Sequence, residues 1–293
     1  MKYIIDTDPG IDDAIGIMFA YLNKLDIIGF TVATGNIEEE QAKNNLRTIQ
    51  KILNSNIKMF EGLEKNKSNP DKAVYAHGKD GLGNTFYPPL DTPFESECAE
   101  DFIIKSANKY RRNLTIICLG PLTNIASALK KNPSIARKIN KIIIMGGTYN
   151  PNLKIPYKEF NFKTDIVAAK MVLSSPFRDI RLITHELGVN SYIEKKYINK
   201  LKYSENETSQ FLYKIAQKYI QFSYDHYHVV GLCSPDPTTI AYAINNKIIT
   251  FLPCKIEIKG QLSYTTIVNK SNIHIAIDFD LEKVRNLFKK TFY

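Results

Sequence analysis

Four aspartates, Asp6, Asp8, Asp12 and Asp13, occupy one eight-residue stretch, in Ile4-Ile5-Asp6-Thr7-Asp8-Pro9-Gly10-Ile11-Asp12-Asp13-Ala14. Tyr3-Ile4-Ile5 before them reads as a buried strand, and Ala14-Ile15-Gly16-Ile17-Met18-Phe19-Ala20 after them as an apolar helix. The acids therefore sit on a strand-to-helix turn, the place where ligands bind in open parallel α/β sheets. Unit charges about 4 Å apart repel by roughly 4 kcal/mol at an effective dielectric near 20. Several carboxylates on one buried turn need protons, basic partners or a bound cation. All-oxygen ligands favour a hard cation, calcium or magnesium. Helix capping and the macrodipole account for one or two of these acids, most naturally Asp12 and Asp13. They account poorly for all four, since Asp6 ends a strand, where Asp is disfavoured.

Further polar groups follow other apolar runs. Asn36 comes after Ile27–Ala33, the turn at Leu119-Gly120 after Leu114–Cys118, and Glu159-Phe160-Asn161 after Lys141–Met145. Asp165 and the proline-flanked Asp236 can each be read equally well as helix caps. His77-Gly78-Lys79-Asp80-Gly81-Leu82-Gly83-Asn84 is glycine-rich but lacks the strand–helix context of a phosphate loop. Tyr224, His226, Tyr227 and His228 end a long aromatic helix, and such a stripe also suits a core.

These groups are positioned by alternating strand and helix patterns, which predict an open, mostly parallel β-sheet flanked by helices. The strands expected are 3–5, 26–33, 58–60, 114–119, 141–145, 179–184 and 273–277, with a hairpin or two from about residue 255. The helices expected are 14–20, 38–53, 100–110, 125–131, 164–173, 205–227, 238–243 and 281–292, with Pro235-Asp236-Pro237 as a break before the helix from 238. Residues 65–97, rich in Pro, Gly and Asp, read as a long loop, and such loops are often functional. No repeat, linker or low-complexity tract divides the chain, so residues 1–293 are expected to form a single domain. In a parallel sheet the strand C-termini line one edge, so the polar groups above can share a pocket.

The 293 residues carry a formal net charge of +9, with a pI of about 9.1. The basic residues are dispersed, as in Lys130-Lys131, Lys195-Lys196 and Lys289-Lys290, without a basic run interleaved with aromatics. A solvated lysine-rich surface is the expectation, with no nucleic-acid partner. Four cysteines, Cys98, Cys118, Cys233 and Cys254, form no Cys-x-x-Cys pair, so reduced thiols are expected, with no zinc site or disulfide framework. No signal peptide or membrane-spanning run is read, and a cytoplasmic protein is expected.

The acidic turn resembles the N-terminal motif of the inosine–uridine-preferring nucleoside hydrolase family. The resemblance extends along the chain through Thr34-Gly35-Asn36, His77–Gly83, Gly120-Pro121-Leu122-Thr123-Asn124, Met145-Gly146-Gly147, Glu159-Phe160-Asn161 and Asp236. It implies a nucleoside hydrolase-like fold, often homodimeric or homotetrameric, that cleaves the N-glycosidic bond of ribonucleosides to ribose and a free purine or pyrimidine base. It implies a bound Ca2+ held by the carboxylates of Asp8, Asp13 and Asp236 and the backbone carbonyl of Leu119, where the family usually has Thr. It casts Asp8 as general base, Asp12, Asn36 and Asn161 as ribose-hydroxyl contacts, Glu159 as a 5′-end contact and Asp6 as a supporting acid.

Two positions depart from the family pattern. Many relatives carry His before the late Asp as a leaving-group acid; this chain has Pro235, which cannot donate a proton. His77, at a family position near the base, and His226, Tyr227 and His228 on the long helix are the candidates to replace it. The family often has Asn six residues before Glu159; here that residue is Leu153, with Asn152 adjacent. Two rival readings stand beside the hydrolase: a non-catalytic calcium-dependent nucleoside or ribose binder, and a magnesium phosphohydrolase of the haloacid dehalogenase type with Asp6 as nucleophile. The latter lacks the late acidic motif it requires.

Overall fold

The computed structural model describes residues 1–62, 72–149 and 158–293. Its strands are β1 (Lys2–Thr7), β2 (Ile27–Val32), β3 (Met59–Glu61), β4 (Leu114–Cys118), β5 (Lys141–Met145), β6 (Ile180–Ile183), β7 (Ile193–Glu194), β8 (Gly231–Leu232), β9 (Ile249–Lys259), β10 (Leu262–Ile267) and β11 (Ile273–Phe279). Nine of them form one sheet in the order β10-β9-β11-β6-β5-β4-β1-β2-β3, while β7 and β8 pair separately. Every pairing from β11 across to β3 is parallel. The β9–β10 hairpin adds antiparallel strands at one edge.

The central strands β1, β2, β4, β5 and β6 are mostly apolar because both sheet faces are covered there, the usual condition of a parallel sheet, whereas β9 and β10 at one edge are largely exposed. Neighbouring residues on a strand point to opposite faces. Accordingly, Ile5, Ile117 and Ile143 join one core, and Ile4, Ile116, Ile142 and Ile144 join the other. Full burial of each such side chain contributes roughly 1.5–3 kcal/mol.

The chain winds from β1 out to β3, then returns to β4 on the other side of β1. The helix after β1, Ile11–Leu22, packs in the first core, whereas the helix after β4, Thr123–Lys131, packs in the second. The helices diverge between β1 and β4, which opens a crevice at the C-terminal ends of those strands. Helix Ile11–Leu22 is buried along Ile11–Ala20, which explains its apolar sequence. Helix Pro235–Ile244 packs against it and carries Asp236 to the crevice.

The expected elements are recovered with small shifts in their ends. The Pro235-Asp236-Pro237 segment, expected as a break, is instead the first turn of helix Pro235–Ile244. Proline suits that turn because its missing N–H would have no helical partner there and its φ is already helical. The long loop contains a short helix, Val74–His77. The helices His185–Asn190 and Lys195–Lys200, and the β7–β8 pair, were not expected; each is too short to show a period in sequence. All four cysteines are unpaired. No helix among the described residues is long and apolar enough to cross a membrane.

Candidate active site

The acidic turn is threaded between the strands on either side of it. Asp6 lies within β1, level with Thr31 of β2 and Cys118 of β4. Thr31 Oγ1 and Asn124 Nδ2 donate to Asp6 Oδ1 at 2.5 and 2.8 Å. This acid ties three segments together beneath the crevice and is absent from its lining. Asp13 accepts from Thr7 Oγ1 at 2.5 Å, the Asp8 N–H at 3.3 Å, and the Gly10 N–H and Asn36 Nδ2 at 3.1 Å each. The Gly10 bond is the capping contribution expected of an acid in the first helical turn. The other three donors hold the Asp13 carboxylate in place.

Asp8 accepts the Asn36 N–H on Oδ2 at 2.8 Å, and its carbonyl accepts from Asn36 Nδ2 at 3.1 Å. Its Oδ1 is buried without a hydrogen-bond donor, as is Oδ1 of Asp12. Asp8 is wedged between two glycines: a Cβ at Gly35 would collide with its Oδ2, and one at Gly120 with its Oδ1. Asp12, Asp13 and Asp236 each present a carboxylate oxygen within 4.8 Å of the others. This trio includes Asp12, which the resemblance casts as a ribose contact. Asp8 adds its own charge to all three.

Crowding and burial raise the proton affinity of the whole group. Burial pushes Asp12 and Asp13 up to about 6 and Asp6 up to about 7. Asp8 and Asp236 lie well above the usual carboxylate range, first through burial and then through neighbouring carboxylates. A bound cation would reverse these shifts, because it favours the charged forms. Oxygen-only donors and two undonated buried oxygens fit a hard divalent ion. The cluster could thus bind a metal.

The crevice is lined by Asp12, Asn36, His77, Leu119, Glu159, Asn161 and Asp236, so all but two of the acids, amides and the loop histidine expected at the ion and sugar converge on its surface. Asp8 and Asp13 lie just beneath, 1% and 0% exposed. The Leu119 carbonyl follows β4, level with the turn, and accepts from Asn161 Nδ2 at 2.6 Å. Glu159 caps helix Phe160–Thr164, accepting the N–H groups of Asn161 and Phe162 at 2.9 Å, and it also accepts that of Gly147 at 3.1 Å. Burial nevertheless pushes it up to about 7. Asp165 caps the next helix by accepting the Ala168 N–H. Leu153 and Asn152 lie outside the described residues.

His77 is buried, and its Nδ1 accepts the Ile11 N–H at 3.1 Å. A neutral ring in that contact carries its proton on Nε2. Burial lowers its pKa to about 4, against the opposing pull of Asp13. His226 and His228 are exposed and absent from the crevice lining. His226 packs on Phe222, and His228 caps the helix in a left-handed conformation.

The crevice is also lined by Tyr75, His185, Tyr219, Phe222, Tyr227 and Pro235. Tyr219 OH donates to Asp12 Oδ2 at 3.2 Å, and His185 Nε2 lies 2.9 Å from Tyr227 OH. His185 and Tyr219 went unnoticed in the sequence. His185 follows β6 as Asn36 follows β2, so the strand-end rule would have found it. Tyr219, Phe222 and Tyr227 all lie on helix Glu207–Tyr227; its end, singled out in the sequence, supplies Tyr227, while His226 packs on Phe222 and Tyr75 without lining the crevice.

An acidic pocket at a sheet switch point, with amides and an aromatic wall around it, is what a sugar-binding hydrolase needs, and comparison with known proteins agrees. A family model described as inosine-uridine preferring nucleoside hydrolase matches residues 3–286. The chain belongs to this family. A probable uridine nucleosidase 2 of Arabidopsis thaliana is 34% identical over 261 residues, covering 85% of this chain and 79% of that protein. The pyrimidine-specific ribonucleoside hydrolase RihB of Escherichia coli K12 is 30% identical, covering 83% of this chain and 78% of its own. A solved structure of a purine-preferring ribonucleoside hydrolase from Gardnerella vaginalis superposes with a TM-score of 0.90 at 27% identity, covering 100% of this chain and 98% of that one. As a nucleoside hydrolase, the chain is an N-glycosyl hydrolase rather than a phosphohydrolase. The placement of Asp6 agrees: it is buried between β2 and β4, out of reach of a substrate in the crevice.

Proposed function

We propose that this nucleoside hydrolase depends on Ca2+ and acts on ribonucleosides, purine or pyrimidine, with uridine the first substrate to try. The observation that carries the reading is the convergence of Asp8, Asp12, Asp13 and Asp236, two with undonated oxygens, beside Asn36, Asn161 and the Leu119 carbonyl. The relatives' names point to uridine and pyrimidine nucleosides in two cases and to purines in a third.

In this reading Asp8, Asp13, Asp236 and the Leu119 carbonyl hold the ion. When bound, calcium fixes the ribose diol and makes its water easier to deprotonate. Asp12, Asn36 and Asn161 bind ribose hydroxyls, and Glu159 faces the 5′ end. Asp8 takes the proton of the attacking water through Oδ1, the oxygen to which no protein group donates. The C1′–N bond breaks with its electron pair going to the base, and water oxygen bonds to C1′. Positive charge on the sugar in the transition state is stabilised by the surrounding carboxylates. The departing base needs a hydrogen bond or a proton, and His77 Nε2–H is one donor on the crevice wall.

The test is incubation with each common ribonucleoside, measuring free base and ribose. No release from any of them, with calcium shown to be bound, sinks the assignment; binding by calorimetry without turnover would leave a nucleoside-binding protein, the reading that Pro235 motivates. A homodimeric or homotetrameric, cytoplasmic enzyme completes the proposal. The unpaired cysteines suit a reducing compartment, and light scattering in solution checks the assembly.

A further inference from the structure

The base side of the crevice has to supply a donor, and its wall offers few. Pro235, immediately before Asp236, has neither an N–H nor a polar side chain. The Tyr219 hydroxyl spends its proton on Asp12. Phe222 is apolar. Besides His77 and Tyr75, Tyr227 and His185 line the crevice with Pro235 as a pair, 2.9 Å from His185 Nε2 to the tyrosine oxygen.

We propose that His185 is a positioning residue for base departure: it holds the Tyr227 hydroxyl against the crevice wall so that its proton points at the leaving base. This rests on the nucleoside hydrolase reading and deepens it. The two side chains come from distant segments, His185 opening the helix after β6 and Tyr227 closing helix Glu207–Tyr227. A neutral imidazole with its proton on Nε2 donates to the tyrosine oxygen, leaving the hydroxyl proton no partner on that side. The tyrosine then donates into the crevice, and its bond is strengthened because its own oxygen accepts one. Negative charge reaching the carbonyl oxygens of a pyrimidine as the C1′–N bond breaks would meet this donor. No proton need leave Tyr227: water supplies the hydrogen that the free base finally carries, passed on after Asp8 has taken it.

The test uses the calcium-loaded full-length protein, uridine, and p-nitrophenyl β-ribofuranoside, whose phenolate departs without help. With uridine, His185→Leu and Tyr227→Phe are each expected to lower kcat about 100- to 1000-fold with little change in KM, the range for a lost donor in a transition state. The double variant should be no worse than Tyr227→Phe alone. His185→Gln, whose amide N–H can reach the same oxygen, should recover most of the rate. With the nitrophenyl riboside all four variants should match the parent. Equal losses on both substrates would mark a merely structural role and overturn the proposal, as would additive losses in the double variant or a His185→Gln as slow as His185→Leu. A parent protein that cleaves neither substrate would instead overturn the nucleoside hydrolase reading, and this proposal with it.

Discussion

The Ile11 amide donates to Nδ1 of His77 at 3.1 Å, so the loop histidine is clamped onto the first residue of the helix that carries Asp12 and Asp13. The contact fixes the neutral ring with its proton on Nε2, and a positive helix N-terminus also disfavours the charged form. Burial already lowers its pKa to about 4. His77 is thus a neutral donor and a brace, poorly suited to deliver a proton from an imidazolium. His77→Ala leaves the buried Ile11 N–H without an acceptor, at a cost of about 1–3 kcal/mol. Denaturant unfolding at saturating calcium should show that loss, and hydrolysis of uridine and inosine should fall together. A variant as stable as the parent would contradict the bracing role.

Asp8→Asn tests the proposed base. The amide keeps the size of the side chain and can still accept the Asn36 N–H, but it cannot take a proton from water. Turnover should fall about 10²–10⁴-fold, the usual contribution of general base catalysis. Fold and melting temperature should change little once calcium is saturating, since burying one fewer charge offsets the weaker ion binding. Calorimetry should find weaker calcium binding alongside the lost rate. Retention of kcat within a few-fold would exclude Asp8 as base.

The pH dependence of stability should change character with calcium. Asp6 and Glu159 are raised to about 7, Asp12 and Asp13 to about 6, and Asp8 and Asp236 well above the ordinary value, all chiefly by burial. A carboxyl whose folded pKa is raised contributes stability that is present below its unfolded value near 4 and lost as pH rises through the folded value. His77 and His185, lowered to about 4 by burial, act the other way, with stability present above the unfolded value near 6.5 and lost as pH falls. The six acids outnumber the two histidines, so protein stripped of calcium should melt lower at pH 8 than at pH 5. Calcium holds the acids ionised, so its binding releases protons and its stabilisation should grow over that range. Melting curves in EDTA and in calcium at several pH values decide this; a calcium-induced shift independent of pH would count against the acids as ligands.

What could be read from the sequence was the part of the site that local rules control. Asp8, Asp12 and Asp13 sit on a turn whose strand and helix are both obvious from apolar runs, and Asn36, Leu119 and Asn161 follow strands of the same parallel set. Asp236 is different. It reaches the cluster because helix Pro235–Ile244 packs along helix Ile11–Leu22, a contact across more than two hundred residues that no periodicity encodes. Only the family resemblance placed it. The aromatic lining was legible only in part for a related reason: Tyr227 stands out at the end of helix Glu207–Tyr227, but which earlier residues of its buried stripe meet the crevice depends on the short helices and loops packed around it. Hence Tyr219 and Tyr227 line the crevice, while His226 packs on Phe222 beside it and His228 is exposed at the helix end.

The glycines flanking Asp8 offer a test of the ion site that touches no polar group. Gly120 follows Leu119 at the end of β4, and a Cβ there would overlap Asp8 Oδ1, the oxygen to which no protein group donates. Gly120→Ala must therefore push the Asp8 carboxylate or the β4 turn aside, since the interior is packed too closely to absorb a methyl group there. Overpacking of this kind costs about 1–3 kcal/mol. If the displacement falls on Asp8, calcium affinity drops about tenfold or more, because a loss of 1.4 kcal/mol is a factor of ten. Excess calcium should then restore part of the rate, unlike in Asp8→Asn, because the carboxylate is still present to act as base. An equally placed alanine at Gly35 crowds Oδ2, which the Asn36 N–H already holds, and should lower the rate without such rescue. Calcium titrations of activity for the two variants separate these outcomes, and a Gly120→Ala protein with the parent's calcium dependence would place the ion away from Asp8 Oδ1.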